Sequence, residues 1–260
     1  MILVIDVGNT ESVLGCWDGN RITHHWRFRT EADRTADEIG FLVRGLLRDS
    51  AVDTGDLSGA AIASVVPQIT AAVSEAFERL LGLSTFLIDA RAQLPIRLLV
   101  DEPLTVGADR IANTLAAASL YARDTIAVDL GTATTFDCIT AAGDFVGGVI
   151  SPGLRTGAET LVRRTAKLPR VDLDRPSTVI GRRTESSLRS GIFFGAVEAI
   201  DGIVRRIRNE WQKPDALVVA TGGLAPIIAP HCETVDRIEP HLTLIGIAFA
   251  HRHLTRSPAG

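Results

Sequence analysis

The stretch Ile2-Leu3-Val4-Ile5-Asp6-Val7-Gly8-Asn9-Thr10 is echoed by Ile126-Ala127-Val128-Asp129-Leu130-Gly131-Thr132-Ala133-Thr134. Each time a short apolar run ends in Asp, an apolar residue, Gly and then hydroxyl or amide side chains. A second strand-like run follows, Ser12–Trp17 or Thr135–Thr140. A turn at Asp18-Gly19-Asn20 or Ala141–Asp144 leads to a third, Arg21–Arg29 or Phe145–Ile150. The pattern predicts one βββ unit used twice. A carboxylate at such a turn can hold a cation, and the Gly lets backbone N–H groups approach phosphate oxygens. Two copies suit a nucleotide held between two lobes.

Working outward, 260 residues allow two modest domains, and 46% hydrophobic residues are enough for a sizeable core. A net charge of −4 leaves no global basic field, so nucleic acid is not an expected partner. No apolar run reaches the length of a membrane span, and the chain opens directly on a strand, so no membrane partner and a cytoplasmic location are expected. Cys16, Cys138 and Cys232 are few and widely separated and read as buried reduced thiols. No C-x-x-C or H-E-x-x-H pattern occurs; His24–His25, on an expected strand, and His251–His253, near a polar tail, leave metal binding as the minor alternative. Only two lysines occur, Lys167 and Lys213, and neither lies in a P-loop. Any triphosphate must therefore be met by backbone N–H groups, metal ions or Arg.

Thr35-x-x-Glu38 reads as a capping box, with Ile39, Leu42, Val43, Leu46 and Leu47 on one helical face. Ala60–Val66 reads as a buried strand, with Pro67 opening a helix to about Leu81; Thr85–Ile88 is a short strand. Gln93–Thr105 reads as a loop with some extended structure, and Gly107 opens an Ala-rich helix to about Ala122 that joins the two lobes. Helices are expected over Gly153–Thr165, over Thr184–Trp211 with Gly191–Gly195 as a possible break, and over His241–Leu254. Lys167–Gly181 reads as a long loop, Leu217–Ala220 as a strand, and Arg256–Gly260 as a frayed end. Three-strand units followed by alternating helix and strand predict an α/β architecture with mixed sheets.

Asp6 is the first candidate site residue; the alternative is a strand-ending Asp that only caps its turn. Thr221-Gly222-Gly223 ends another strand, and its Gly pair would let a flat group such as adenine lie against backbone; an ordinary turn is the alternative. In Gly107-Ala108-Asp109-Arg110, Asp109 falls in a first helical turn, where a dipole-matching role is common and the helix N-terminus should lower its pKa. Phosphoryl transfer tolerates a weak base, because its loose transition state needs the alcohol positioned more than deprotonated.

These segments, in this order and together with Gly147-Gly148-Val149-Ile150-Ser151-Pro152-Gly153, closely resemble the type III pantothenate kinase family over essentially the whole chain. The resemblance implies two ribonuclease H-like lobes with mixed sheets, the actin-like ATPase duplication, divided as 1–115 and 116–260. It implies phosphorylation of pantothenate by ATP, the first step of coenzyme A biosynthesis. Asp6, Val7, Gly8, Asn9, Thr10, Glu11, Ser12 and Val13 would form the first phosphate loop, with Asp6 holding Mg²⁺ through water. Thr132 would touch the ATP phosphates, and Gly222 and Gly223 the adenosine. Asp129 would hold a monovalent cation, K⁺ or NH₄⁺. Gly107, Ala108, Asp109 and Arg110 would bind pantothenate, with Asp109 accepting the proton from its hydroxyl. Thr184 matches a substrate-contacting Thr that reaches the pocket across a homodimer interface, a shared active site. One departure concerns Val100, in Val100-Asp101-Glu102-Pro103, where many members carry a substrate-contacting Tyr. Two other readings compete: a nucleotide-gated regulatory protein on the same scaffold, and a kinase for another small alcohol. Asp6, Asp109 and Asp129 together argue against the first, since a pure binder needs no general base, and the Gly-Ala-Asp-Arg loop with the lack of sugar-kinase insertions argues against the second.

Overall fold

A computed structural model describes residues 1–256, so residues 257–260 of the expected frayed end lie outside the described residues. The chain divides into two compact units, Met1–Leu120 together with His241 onward, and Tyr121–Pro240.

In the first unit, β1 (Ile2–Val7), β2 (Glu11–Trp17) and β3 (Ile22–Arg29) form an antiparallel meander. Then come α1 (Ala36–Asp49), β4 (Ala60–Ser64), α2 (Pro67–Glu75) and β5 (Thr85–Ile88). Strands β4 and β5 add in parallel, giving the order β3-β2-β1-β4-β5. A two-residue strand, β6 (Arg97–Leu98), precedes α3 (Ala108–Tyr121). The expected capping box opens α1: the Thr35 hydroxyl accepts from the Glu38 N–H and the Glu38 carboxylate accepts from the Thr35 N–H.

The period-2 pattern of β1 sends alternate residues into two cores. Leu3, Ile5 and Val7 pack with Ile39 and Val43 of α1 and Ile69 and Val73 of α2. Val4 packs on the opposite face with Ala61, with Ile111 and Leu115 of α3, and with Leu244 and Ile247 of α7 (Leu242–Arg256). A strand covered on both faces reads as a continuous apolar run, which is why Ile2–Ile5 shows no polar alternation.

The second unit repeats the plan. Its β7 (Thr125–Leu130), β8 (Ala133–Ile139) and β9 (Asp144–Pro152) form the second meander. Helices α4 (Leu154–Arg164) and α5 (Thr184–Trp211), strand β10 (Leu217–Thr221), helix α6 (Ala225–Ile228) and strand β11 (Arg237–Ile238) follow. The unit's own five strands run β11-β10-β7-β8-β9, the same order as the first sheet, with β10 and β11 parallel to β7. The repeat extends to register. Cys16 pairs with Leu3 and Cys138 with Ile126, each three residues before its Asp, and each Cys is followed by a β-bulge. Both thiols are buried, as expected; burial pushes that of Cys16 up to about 11.

Two expectations need correction, and two elements were not anticipated. The 1–115 and 116–260 division is not the observed one: the chain passes from one unit to the other at Leu120–Tyr121, and the last helix belongs to the first unit. Its amphipathic period announces a buried face but not which sheet receives it. The α5 helix runs unbroken through Gly191 and Gly195; a Cβ at either would meet nothing within 4 Å, so both lie on an open side while Phe193, Val197 and Ile200 anchor the other. The Thr221-Gly222-Gly223 segment leads into α6, and β11 completes the sheet, two elements too short to show a period.

Candidate active site

In the first unit Asp6 is the penultimate residue of β1, and the Gly8 N–H closes the turn on the Glu11 carbonyl at 3.2 Å. Asn9 and Thr10 are exposed. The Val7 side chain lies wholly in the core, and the Ser12 hydroxyl is bonded to Thr30 Oγ1 at 2.8 Å. Glu11 is paired to Arg27 at 2.9 Å. Asn9 and Thr10 are therefore the exposed part of the 6–13 loop.

The Gly107–Arg110 loop lies at the same carboxyl edge of the sheet. The Val65 N–H donates to the Val7 carbonyl at 3.1 Å, and a Cβ on Gly107 would lie 3.4 Å from Val65 Cγ1 and collide with Asp109 Oδ1. The Asp109 carboxylate thus folds back over Gly107, where a side chain would displace it. Its Oδ1 accepts the Arg110 N–H at 2.8 Å. Burial raises the Asp109 pKa above the ordinary carboxylate value, against the lowering by the Arg110 N–H and the Arg110 charge. The helix terminus was expected to depress it; desolvation wins because the half-buried carboxylate loses water contact and gains few donors. Val100 is half-buried and offers an apolar side chain ahead of the 3₁₀ turn Pro103–Thr105.

In the second unit, Asp129 is the penultimate residue of β7 and pairs in register with Thr135 of β8 and Thr221 of β10. Gly222 has φ +88°, and a Cβ there would collide with Asp129 Oδ1 and come within 2.7 Å of the Leu130 N. The second Asp-x-Gly turn and the Gly pair, far apart in sequence, are thereby one structure. The exposed Thr132 is held by its backbone: its carbonyl accepts from the Gly153 N–H at 3.2 Å and from Thr156 Oγ1 at 2.7 Å. Thr156 escaped the sequence reading, since a Thr in the first turn of a helix carries no distinguishing signal. Thr184 is the exposed first residue of α5, in an open groove of about 570 Å³ lined by Leu168, Arg182, Arg183 and Leu188.

Among the described residues, no cluster of three His, Cys, Asp or Glu could hold a metal by itself. Asp6 and Asp129 are single hard oxygen donors. That donor set fits Mg²⁺, which keeps waters and takes the rest of its ligands from phosphate, and it fits an alkali cation. The close approach of Gly222 to Asp129, where a Cβ would fill the space, is consistent with such a cradle. No helix of the described residues is long and apolar enough to cross a membrane.

Two β-meander units with one Asp-x-Gly turn apiece define the class of the actin-like ATPases and sugar kinases. The fold is shared with component A of (R)-2-hydroxyglutaryl-CoA dehydratase from Acidaminococcus fermentans (TM-score 0.57, 13% identity, 98% of this chain and 99% of that one). It is shared also with a ROK hexokinase from Thermus thermophilus (TM-score 0.54, 13% identity, 97% and 99%). At these identities the likeness is of fold alone. Sequence goes further. The family model described as type III pantothenate kinase matches residues 2–206. The type III pantothenate kinase of Parafrankia sp. is 44% identical over 95% of this chain and 96% of its own. That of Syntrophotalea carbinolica is 42% identical over 96% and 98%. The chain belongs to the type III pantothenate kinase family, and is a phosphotransferase with ATP as co-substrate.

Proposed function

We propose that this chain phosphorylates the primary hydroxyl of pantothenate, giving 4'-phosphopantothenate for coenzyme A synthesis. The observation that carries this reading, given the family, is the Asp109 carboxylate. It is held at the sheet edge beside the first phosphate turn, and burial keeps its pKa above the usual range. A carboxylate partly stripped of water is the better proton acceptor, and a protein that only bound nucleotide would have no use for it.

The substrate hydroxyl donates its hydrogen bond to Asp109. As the bond from this oxygen to the γ-phosphorus forms and the bond to the β-phosphate oxygen breaks, the proton passes to Asp109 and ADP leaves. Arg110 faces the carboxylate end of the substrate. The exposed turn at Asn9–Thr10 and the Thr132 hydroxyl orient the phosphates, and the backbone of Gly222 and Gly223 supports the adenosine. A Mg²⁺ held by Asp6 through water, and a K⁺ or NH₄⁺ held by Asp129, would neutralise phosphate charge. Thr184, exposed at its helix start, is available to complete the pocket of a second subunit in a homodimer.

A coupled assay of ADP release with and without pantothenate tests the reading. Release that depends on pantothenate is expected; release unaffected by it, or elicited instead by a hexose, overturns it.

A further inference from the structure

Strand β4 ends at Ser64, and Val65 and Val66 carry the chain into α2. This crossing is pinned on both sides. The Val65 N–H donates to the Val7 carbonyl at 3.1 Å, which fixes it to the strand that leads into the first phosphate turn. The Ser64 hydroxyl accepts from the Val66 N–H at 3.2 Å and from Thr70 Oγ1 at 2.7 Å. Between these anchors Val65 has a stiff, β-branched side chain, so its methyls stay where the backbone aims them. It packs against the core of the first sheet and is only half-buried.

The same side chain borders the proposed proton acceptor. One Cβ added to Gly107 would meet both, lying 3.4 Å from Val65 Cγ1 and colliding with Asp109 Oδ1. A valine methyl and the carboxylate therefore flank a single space no larger than a methyl group. Around this carboxylate Gly107 offers no side chain and Arg110 a charged one; Val65 supplies the apolar surface.

The chemistry of the substrate calls for such a surface. In pantothenate the reacting CH₂OH is attached to a carbon that bears two methyls and no hydrogen. An alcohol oxygen bonded to Asp109 thus brings those methyls beside the carboxylate, and a neighbouring side chain must receive them. A polar neighbour would lose water without gaining a partner, whereas an apolar one gains by burial.

We propose that Val65 is a specificity-determining residue: it packs against the geminal dimethyl group of the substrate, turns the adjacent hydroxyl toward Asp109, and selects branched alcohols over straight-chain ones. This rests on the kinase reading above and names what that site recognises beside the hydroxyl.

The test compares wild type with V65A, V65T and, as a control, L46A, which truncates another partly buried side chain of the same core, on α1. Steady-state rates give kcat/KM for pantothenate and for its analogue with hydrogens in place of both methyls. Calorimetry gives the Kd of a non-hydrolysable ATP analogue. Wild type should prefer pantothenate by about tenfold or more, the usual worth of a methyl-sized contact. In V65A kcat/KM for pantothenate should fall about tenfold while that for the analogue stays within about twofold, so the preference collapses. L46A should keep the preference, and the Kd of the ATP analogue should stay within about twofold throughout. A merely structural Val65 would lower both alcohols alike, and an unchanged preference in a folded V65A overturns the proposal. If V65A does not fold, V65T decides, since it keeps the shape and turns one methyl into a hydroxyl. A preference reduced about threefold or more is then expected, and an unchanged one overturns the proposal. A wild type without pantothenate-dependent ADP release refutes the kinase reading and this inference with it. An active wild type whose preference survives in V65A refutes the inference alone.

Discussion

Asp109 is pulled in two directions, by a backbone N–H and a neighbouring Arg that favour its charged form and by burial that disfavours it, and burial prevails. Asp109→Asn should lower kcat by roughly 10²–10⁴-fold, the usual cost of losing a general base, with nucleotide Kd little changed; near-normal turnover would leave Asp109 with a capping role only. The same shift has a sign for stability. A carboxyl whose folded pKa is raised holds its proton longer in the native than in the unfolded chain. Stability therefore falls as pH rises from the ordinary carboxylate value through the raised one, and the loss persists above it. Asp109→Asn should raise the thermal midpoint at pH 7 and gain less at acid pH, read by unfolding at both. The acid limb of kcat/KM should also lie above the pH of an ordinary carboxylate.

At the scale of elements, two glycines separate site from scaffold. Gly222 needs a positive φ and lies against Asp129 and the Leu130 backbone. Gly222→Ala should cost about 1–3 kcal/mol in stability and weaken nucleotide binding in the fraction that folds, measured by denaturant midpoint and calorimetry. Gly246 of α7 meets the backbone of Ala112 in α3 so closely that a Cβ would strike its carbonyl. Gly246→Ala should also destabilise by about 1–3 kcal/mol, while ATP KM in the folded protein stays near wild type. Equal effects on KM would contradict the assignment of Gly222 to the site. Most elements were legible at this scale because period and capping announce them: the Thr35–Glu38 box and the apolar meanders needed no tertiary information. The α6 helix and β11 were not, since four and two residues carry no period and are held by the sheet they complete.

For the whole molecule, cation and assembly are the proposals to test. Activity should depend on K⁺ or NH₄⁺ and be poor in Na⁺ at fixed ionic strength, and Asp129→Asn should remove that dependence with most of the activity; equal rates in the three salts would refute the cation role. If each pocket takes Asp109 from one subunit and Thr184 from the other, mixing Asp109→Asn with Thr184→Val makes hybrid dimers with one intact and one doubly damaged site. Random pairing then restores roughly a quarter of the sites, by the reciprocity of a two-fold interface. No recovery after verified subunit exchange would dismiss the shared site.

Local chemistry was enough to find the duplicated Asp-x-Gly turns, the helix caps and the Gly-Ala-Asp-Arg loop, because each depends on residues a few positions apart. From these came the fold class and the family. Register and long-range packing decided the rest. They set Cys16 and Cys138 at equivalent places in the two sheets, pressed Gly222 against Asp129, tied Thr132 to Gly153 and Thr156, and took the last helix back to the first sheet. An amphipathic stripe specifies that a face must be buried but not against what, and a carboxylate's pKa depends on water that the whole fold excludes. That is why the Asp109 residue could be named from the chain alone while the direction of its pKa shift could not.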